Sequence, residues 1–259
     1  MSVFGKISFY LPAGLSHHDI GIPTNDAKLL NATLKALADR FTVYEIPDQE
    51  QPVFLAAAMP LRDGLTGLKP RLPAGRGLNL LQAKMSAAAE AVELLASLSK
   101  ADQSYDEIAG TNLLSNSEVR LHCNQVFLDD AQIRNSHSYF DCNSSGCAAG
   151  VNLDDAHRRA LLECVERDAM AIWWYGRQSR QHLHIRQLDQ IAPRLSWWLA
   201  NRSRKTIIID ITSDIGVPVI ATVSANPDDR HMAIGTGAHT KAIEEPVAAV
   251  QVRWPDGTS

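Results

Sequence analysis

The sequence predicts a mixed α/β protein, with mixed sheets and packed helices, and three observations support that class. Segments with the two-residue period of strands interleave with segments that have the 3.6-residue period of helices. Of the 259 residues, 45% are hydrophobic and 21% are charged, which is ordinary for a globular domain. No internal repeat, low-complexity tract or obvious linker divides the chain, so residues 1–259 are predicted to form a single domain.

The net charge and the cysteine pattern exclude several classes of function. A formal net charge of −4 implies no broad basic surface, so nucleic acid is not an expected partner. No apolar run approaches the roughly 20 residues that span a membrane, and Lys6 and Pro12 interrupt the N-terminal apolar stretch. The four cysteines form no CxxC pair, and Cys142 and Cys147 are interpreted as packing residues. A cytoplasmic protein with free thiols and no membrane partner is therefore expected.

The first third of the chain alternates strand and helix patterns. The predicted strands lie at 6–12, 41–47 and 52–60, and an amphipathic helix is predicted at 26–40. Residues 61–77 are rich in glycine and proline and are predicted to form a loop. Its last residues, 75–77, are interpreted as a plain turn, although a helix start after them would also favour an anion.

The rest of the chain is predicted to be richer in helix. Helices are predicted at about 79–99, 152–177 and 194–203, and strands at 118–128, 205–212, 217–225 and 231–239. A turn is predicted at 214–216 between two of these strands. Residues 141–150 form a turn-rich loop, where Ser144 and Ser145 have two open roles, in turn chemistry or in phosphate contact.

The predicted helix at 79–99 carries a narrow polar stripe on an otherwise apolar surface. At about 100° per residue, one arc of about 80° holds Gln82, Ser86, Glu90, Glu93 and Ser97. Apart from Lys84, the remaining residues from 80 to 95 are Leu, Ala, Met and Val, so a buried helix is expected. Two carboxylates in a desolvated stripe are costly unless another group neutralises them.

The predicted helix at 152–177 repeats this pattern. Asp155, Glu163 and Glu166 fall within about 80° of one another. The adjoining apolar stripe is predicted to consist of Leu161, Leu162, Val165, Ala169 and Ile172. Two buried helices with a carboxylate pair each suggest a shared Mg²⁺, which takes oxygen ligands and arrives with phosphates. The alternative stays open that these glutamates are solvated or paired with Arg158, Arg159 and Arg167.

The two helices and their flanking residues resemble the YcaO family. The segments that carry the likeness read "GRGLNLLQAKMSAAAEAVE" and "SSGCAAGVNLDDAHRRALLECVERDAMAIWWYGR". The likeness is closer to the thiazole/oxazole-forming branch, the cyclodehydratase D proteins, because of the specific run "ERDAMAIWWYGR". It covers about residues 70–240, whereas residues 1–69 match only in pattern and 241–259 diverge.

The resemblance assigns roles to particular residues. The family's Ser-x3-Glu-x2-Glu-Arg motif is matched by Ser86, Glu90 and Glu93, but Leu94 stands in place of the arginine. Asp155 stands where a glutamate is usual. By resemblance, the metal ligands would be Glu90, Glu93, Glu163 and Glu166, and the ATP-binding residues would be Ser86, Asp155, Glu163, Glu166 and Arg167. For Arg167 a salt bridge to Glu163 or Asp168 is an open alternative. No catalytic residue can be assigned.

The resemblance also implies a reaction and its cofactors, ATP and Mg²⁺. A Cys, Ser or Thr side chain of a ribosomally made precursor peptide would attack the preceding amide carbonyl, and phosphorylation of the oxyanion would let an azoline ring form. Such chemistry belongs to the biosynthesis of azole-modified microcins and other bacteriocins. Two alternatives remain: thioamide or amidine formation, and a catalytically dead subunit that binds peptide or a partner. A separate E1-like or leader-binding protein is an expected partner, and a homodimer is possible.

The end of the chain departs from the family pattern. Pro246 falls inside an expected helix, and Val252 and Pro255 stand where a glutamate and a glutamine are sought. We therefore expect a domain that is incomplete at its C-terminal end and weak or inactive as a cyclodehydratase. Its origin as a fragment, a frameshifted product or a naturally short copy stays open.

Overall fold

The computed structural model describes residues 24–47, 52–61, 72–98, 107–128, 143–150, 152–190, 192–228 and 231–240. The strand predicted at 6–12 and the residues Cys142, Pro246, Val252 and Pro255 lie outside these ranges. In the described part, helices and antiparallel sheets combine, which confirms the predicted mixed α/β class. Within the same ranges no helix is both long and apolar enough to cross a membrane.

Helices and strands are numbered separately in chain order. The helices are α1 (Thr24–Leu37), α2 (Leu80–Ala96), α3 (Leu153–Tyr175) and α4 (Pro193–Asn201). The strands are β1 (Phe41–Ile46), β2 (Phe54–Pro60), β3 (Ala74–Gly77), β4 (Glu107–Thr111), β5 (Glu118–His122), β6 (His182–Leu183), β7 (Lys205–Asp210), β8 (Val219–Ala225) and β9 (Ala233–Ala238). Short 3₁₀ helices follow β5 and β6, at Cys123–Gln125 and Ile185–Leu188.

The first sheet is antiparallel, in the order β1-β2-β3, and α2 packs on one of its faces. The helix begins where the side chain of Asn79 accepts a hydrogen bond from the Gln82 amide. Eight of its 17 residues are buried, because small alanines let the sheet and α1 approach closely, whereas Glu90 and Ala96 are exposed. The core between these elements includes Leu37, Phe41, Ala58 and Met85.

Strand β3 corrects the prediction of a loop and plain turn at 61–77. Residues Ala74–Gly77 pair with β2 and lie directly against α2. A Cβ atom on Gly75 would lie 2.1 Å from the Ala83 carbonyl oxygen and 2.1 Å from the Ala87 amide nitrogen. Glycine is therefore present because no side chain fits between this strand and the helix, and the turn-like composition hid a strand.

A second antiparallel sheet, in the order β6-β7-β8-β9, is covered by a helix on each face. The side chains alternate along β7 and β8, as a two-sided buried sheet requires. Ile209 and Val219 pack against α3, whereas Ile208 and Ile220 pack against α4. The predicted turn between these strands is present, and Gly216 adopts a φ of 76° there.

Two other predictions need correction. The strand predicted at 118–128 ends at His122, because the chain turns into a 3₁₀ helix and the side chain of Gln125 accepts the His122 amide. Helix α3 is not the buried helix that its apolar stripe predicted. Ala169 is its one fully buried residue, and Leu161 of the predicted stripe is 54% exposed. Among the described residues, the contacts of α3 with the core of the sheet come from its second half.

Candidate functional site

A cavity of about 400 Å³ lies between α2, α3 and the loop 143–150. Its polar lining comes from both helices and comprises Ser86, Glu90, Glu93, Arg159, Glu163 and Arg167. The polar stripe of α2 thus faces the charged side of α3, and Ser97 at its end lines the same cavity. Carboxylates and guanidinium groups share one concave surface, which suits a ligand that carries both phosphates and a cation.

Backbone amides hold three of the carboxylates in place. The Ala74 amide of β3 donates to Glu90 Oε2 at 2.8 Å, and the Ala149 amide donates to Glu93 Oε1 at 2.7 Å. The Gly146 amide donates to Glu163 Oε2 at 3.0 Å. In each carboxylate, one oxygen accepts a hydrogen bond from the backbone. This bond fixes the orientation of the carboxylate and leaves the other oxygen for a different partner.

The second oxygen of each carboxylate has a different environment on the two helices. Glu163 Oε1 accepts from Arg167 Nη2 at 2.6 Å, which is the salt bridge that stood as the alternative for Arg167. The Arg167 guanidinium also reaches the hydroxyls of Ser144 and Ser145, at 3.3 and 3.0 Å. Glu90 and Glu93 on α2 make no ion pair within 4.0 Å among the described residues. The α2 carboxylates are thus the ones left to receive a cation.

Desolvation is the largest influence on the pKa values of both α2 carboxylates. The pKa of Glu93 is raised to about 7, mainly by desolvation; the Glu163 and Glu90 charges add to the rise, whereas the Ala149 amide and Arg159 oppose it. Desolvation also raises the pKa of Glu90, although the Ala74 amide and then Arg76 oppose the shift. A bound cation would reverse the main penalty at both positions, because it favours the ionised form.

Glu166 does not line this cavity in the way Glu90, Glu93 and Glu163 do. Its carboxylate accepts a hydrogen bond from the Thr236 hydroxyl on β9. It also lies within electrostatic reach of Arg76 on β3, which in turn reaches Glu90. Glu166 is therefore not part of the cavity lining, and its carboxylate is held by the second sheet instead.

Asp155 is engaged by two arginines of its own helix. Arg158 Nη2 lies 2.6 Å from one of its oxygens and Arg159 Nε lies 2.9 Å from the other. Arg159 lines the cavity, whereas Asp155 does not. Asp155 therefore contacts a residue of the site, Arg159, and not the cavity itself. The open alternative of arginine pairing thus holds for Asp155 and Glu163. The roles of the predicted site residues in binding nucleotide or metal stay predictions.

The donor set fits Mg²⁺ carried by a phosphate ligand rather than a free ion. Among the described residues no group of three or more His, Cys, Asp or Glu is placed to hold a metal by itself. Mg²⁺ is usually bound through one or two carboxylates, with phosphates and water completing its octahedron. Glu90 and Glu93, with fixed orientations beside two arginines, offer that kind of partial coordination.

Three residues of the site escaped prediction as functional residues. Arg76 stands between two glycines ahead of a helix, and a charge in such a glycine-flanked position was a readable signal. Arg159 was considered only as a partner for carboxylates, although it lies one turn before Glu163 on the same helix. Thr236 gave no signal, because nothing in a strand pattern indicates which distant helix it will meet.

The fold and this cavity define a mixed α/β protein with a carboxylate- and arginine-lined site for an anionic, cation-bearing ligand. The family described as "YcaO cyclodehydratase, ATP- and Mg²⁺-binding" matches residues 97–244. This match spans more than half of the chain, and the chain belongs to the YcaO family. ATP and Mg²⁺ are the cofactors of that family.

Three solved structures share the fold of this chain. YcaO from Methanopyrus kandleri bound with AMPPCP and Mg²⁺ has a TM-score of 0.67 and 20% identity, over 88% of this chain and 64% of that one. A heterocyclase in complex with substrate and cofactor has a TM-score of 0.73 and 19% identity, over 95% of this chain and 41% of that one. The heterocyclase TruD gives a TM-score of 0.54 with 20% identity, over 66% of this chain and 33% of its own.

One relative is similar in sequence. An uncharacterized protein of Methanothermobacter thermautotrophicus is 25% identical over 249 residues, covering 80% of this chain and 64% of the relative. The chain thus spans less than two thirds of the length of the relatives it matches.

Proposed function

We propose that this chain is a YcaO-type, ATP-dependent enzyme that activates a peptide backbone amide, and that its reaction is azoline formation at Cys, Ser or Thr. The observation that supports this most is the shared cavity, where the α2 carboxylates Glu90 and Glu93 face Arg159, Glu163 and Arg167 of α3. Phosphoryl transfer depends mainly on positioning and charge neutralisation, and this surface supplies both signs of charge at short range.

In this proposal, residues of α2 and α3 have different roles in binding Mg-ATP. Glu90 and Glu93, with Glu163 beside them, hold the cation that neutralises the phosphates, and Glu166 supports them from the side. Arg167, assisted by Ser144 and Ser145, offsets phosphate charge, and Ser86 lies at the near end of the α2 stripe to contact the nucleotide. Asp155 orients Arg159 into the cavity. Mg²⁺ with ATP supplies the electrophilic phosphoryl group.

The chemistry on the peptide follows from that arrangement. The side-chain thiol or hydroxyl would lose its proton and attack the preceding amide carbonyl, and the oxyanion would take the γ-phosphoryl group of ATP with ADP as the leaving group. Loss of phosphate together with the amide N–H proton would then leave the C=N bond of the azoline ring. The overall change converts the amide oxygen, a poor leaving group, into phosphate. The substrate is then a precursor peptide, and an E1-like or leader-binding partner presents it.

Two further candidates stay within the same family and cavity. Thioamide or amidine formation would use the same nucleotide site with an external nucleophile. A subunit that binds peptide without turnover would keep nucleotide affinity and release no phosphate. Phosphate release that depends on an azoline-forming peptide, measured together with loss of water from that peptide, separates the three.

The binding step can be tested with Glu90→Gln. The amide oxygen of glutamine can still accept the Ala74 amide, and a neutral side chain avoids the burial cost of a carboxylate, so the fold should persist. We expect Mg-ATP affinity, measured by calorimetry, to fall by at least about tenfold. The matched control Glu118→Gln, on the exposed β4–β5 hairpin, should bind as the parent does. Equal affinity for E90Q and the parent would contradict the proposed site.

A further inference from the structure

Three charged residues of α3 follow one another along the wall of the cavity. Arg159, Glu163 and Arg167 are spaced four residues apart, so their side chains share one face of the helix. Arg159 pairs with Asp155, four positions before it. Arg167 pairs in the same way with Glu163. Of these two pairs, the Glu163–Arg167 pair alone has both members in the lining of the cavity.

The Glu163–Arg167 pair engages both oxygens of the carboxylate. Glu163 Oε1 accepts a hydrogen bond from Arg167 Nη2 at 2.6 Å, and Oε2 accepts one from the Gly146 amide at 3.0 Å. A cation that approaches this carboxylate meets a guanidinium of its own sign at the same oxygen, and the repulsion opposes binding. Glu163 is therefore hindered as a metal ligand while Arg167 holds it.

The pair restrains Arg167 as well. Its guanidinium donates to Glu163 and also to the hydroxyls of Ser144 and Ser145, at 3.3 and 3.0 Å. The side chains of Arg167 and Glu163 are 47% and 29% exposed, so a ligand in the cavity can reach both. A phosphate at Arg167 has to compete with a carboxylate that is also an anion. The positions for a cation and for an anion on α3 therefore block each other while the pair is intact.

We propose, in an inference that rests on the proposed function, that the Glu163–Arg167 pair makes the site selective for Mg²⁺ and polyphosphate together. With free Mg²⁺, Glu163 gains a partner but Arg167 loses one. With a metal-free polyphosphate, Arg167 gains a partner but Glu163 loses one. With the complex of the two, both residues exchange their partner for a ligand of the right sign. Arg167 is thus a specificity-determining residue as well as a phosphate-binding one.

The competing explanation is that the pair only stabilises α3. A glutamate four residues before an arginine is a favourable arrangement on any helix. In that case a substitution at either position acts through the stability of the site and weakens the binding of every ligand. Selectivity instead gives effects of opposite sign on the affinity for one ion alone and on the affinity for Mg-ATP.

The first test uses Arg167→Met, which removes the charge and keeps much of the side-chain length. We expect Mg²⁺ alone, titrated by calorimetry at constant ionic strength, to bind about three- to fivefold more tightly to R167M than to the parent. Mg-ATP should bind at least about threefold more weakly to R167M, because a phosphate partner is lost. Arg167→Lys keeps a positive charge beside Glu163, so its affinity for Mg²⁺ alone should stay within about twofold of the parent.

The matched control is Arg159→Met. Arg159 lies on the same helix face and lines the same cavity, but its partner Asp155 is not part of the lining. R159M should therefore tighten the binding of Mg²⁺ alone by less than about twofold. Equal tightening in R159M and R167M would reveal a general effect of positive charge and would overturn the inference. An unchanged or weaker affinity of R167M for Mg²⁺ alone would overturn it too.

The reciprocal test uses Glu163→Gln, whose amide oxygen can still accept the Gly146 amide. With Arg167 released, tripolyphosphate in the presence of EDTA should bind about three- to fivefold more tightly, while Mg-ATP binds more weakly. Glu90→Gln is the control, since Glu90 lines the same cavity and has no ion pair within 4.0 Å among the described residues. An equal gain in tripolyphosphate affinity for E90Q and E163Q would contradict the proposed selectivity.

The proposed function can fail separately. A parent protein that binds no Mg-ATP would overturn the nucleotide site, whereas the affinities of R167M and R159M for Mg²⁺ alone would still decide whether the pair blocks Glu163. Conversely, if neither variant bound Mg²⁺ more tightly than the parent, the selectivity would be refuted even in a protein that releases phosphate from ATP.

Discussion

Helices α2 and α3 carry the same Glu-x2-Glu spacing in different physical settings. Eight residues of α2 are buried, and desolvation raises the pKa of both carboxylates of its pair, although Glu90 is exposed on one side. Around its own pair, α3 buries only Ala169 fully, and its carboxylates are held by Arg167 and Thr236. Among the described residues, the same motif therefore gives two carboxylates held only by backbone amides on α2, and two carboxylates with side-chain partners on α3.

This difference divides the site into a rigid half and an adjustable half. The α2 carboxylates are fixed by packing, and β3 supplies an amide to one of them. The α3 side is arranged by polar contacts that a ligand can exchange, since Arg167 donates to a carboxylate and to two serine hydroxyls. A phosphate could replace those acceptors without disturbing a core.

The largest expected effect concerns the way α2 is docked. Gly75→Ala would place a methyl group 2.1 Å from backbone atoms of Ala83 and Ala87, which cannot move without disrupting the helix. We expect a loss of more than about 3 kcal/mol in the free energy of unfolding, by urea denaturation. Gly110→Ala on β4 is the control, because its new Cβ would meet its nearest neighbour at an ordinary 3.5 Å. Similar losses for both variants would refute the rigid docking of β3.

The next prediction compares a buried leucine on α2 with an exposed leucine on α3. Leu94 on α2 is 8% exposed and belongs to the core cluster, whereas Leu161 on α3 is 54% exposed. Leu94→Ala should lower the free energy of unfolding by about 2–4 kcal/mol. Leu161→Ala should change it by no more than about 0.5 kcal/mol. A cost for L161A as large as that for L94A would mean that α3 is buried against something that the described residues do not include.

The smallest effect is a pH dependence that arises on α2. Because the pKa of Glu93 is about 7 in the folded protein and 4.5 ordinarily, the folded state holds a proton between these values that the unfolded chain releases. Stability contributed by this group is therefore full below about pH 4.5 and is lost as pH rises through 7.

The variant Glu93→Gln should remove this loss. We expect E93Q to be more stable than the parent by about 1–3 kcal/mol at pH 8 and equal to it near pH 4, by urea denaturation at both values. Glu118→Gln on the exposed hairpin is the control and should leave the pH dependence as in the parent. A parallel pH dependence for E93Q and the parent would show that Glu93 is not desolvated as the structure indicates.

Sequence patterns predicted most elements of this fold, because periodicity is a local property. The polar stripe of α2 was placed correctly on one face, since a helix fixes the angle between Ser86, Glu90 and Glu93 whatever surrounds it. Turn chemistry at Gly216 was predicted for the same reason. The resemblance to the family at the two carboxylate helices came from the order of particular residues in sequence motifs and not from periodicity.

Only the tertiary structure decided which side chains are buried and which distant residues contact one another. The same spacing on α3 predicted a buried helix, yet Leu161 is 54% exposed among the described residues, because burial depends on what packs opposite. The strand at Ala74–Gly77 looked like a turn, because glycine is used both for unusual backbone angles and for close packing, and only the nearby helix distinguishes these uses. Glu166 and Thr236 meet although they are 70 residues apart, and such a long-range partner leaves no local periodic signal in a sequence.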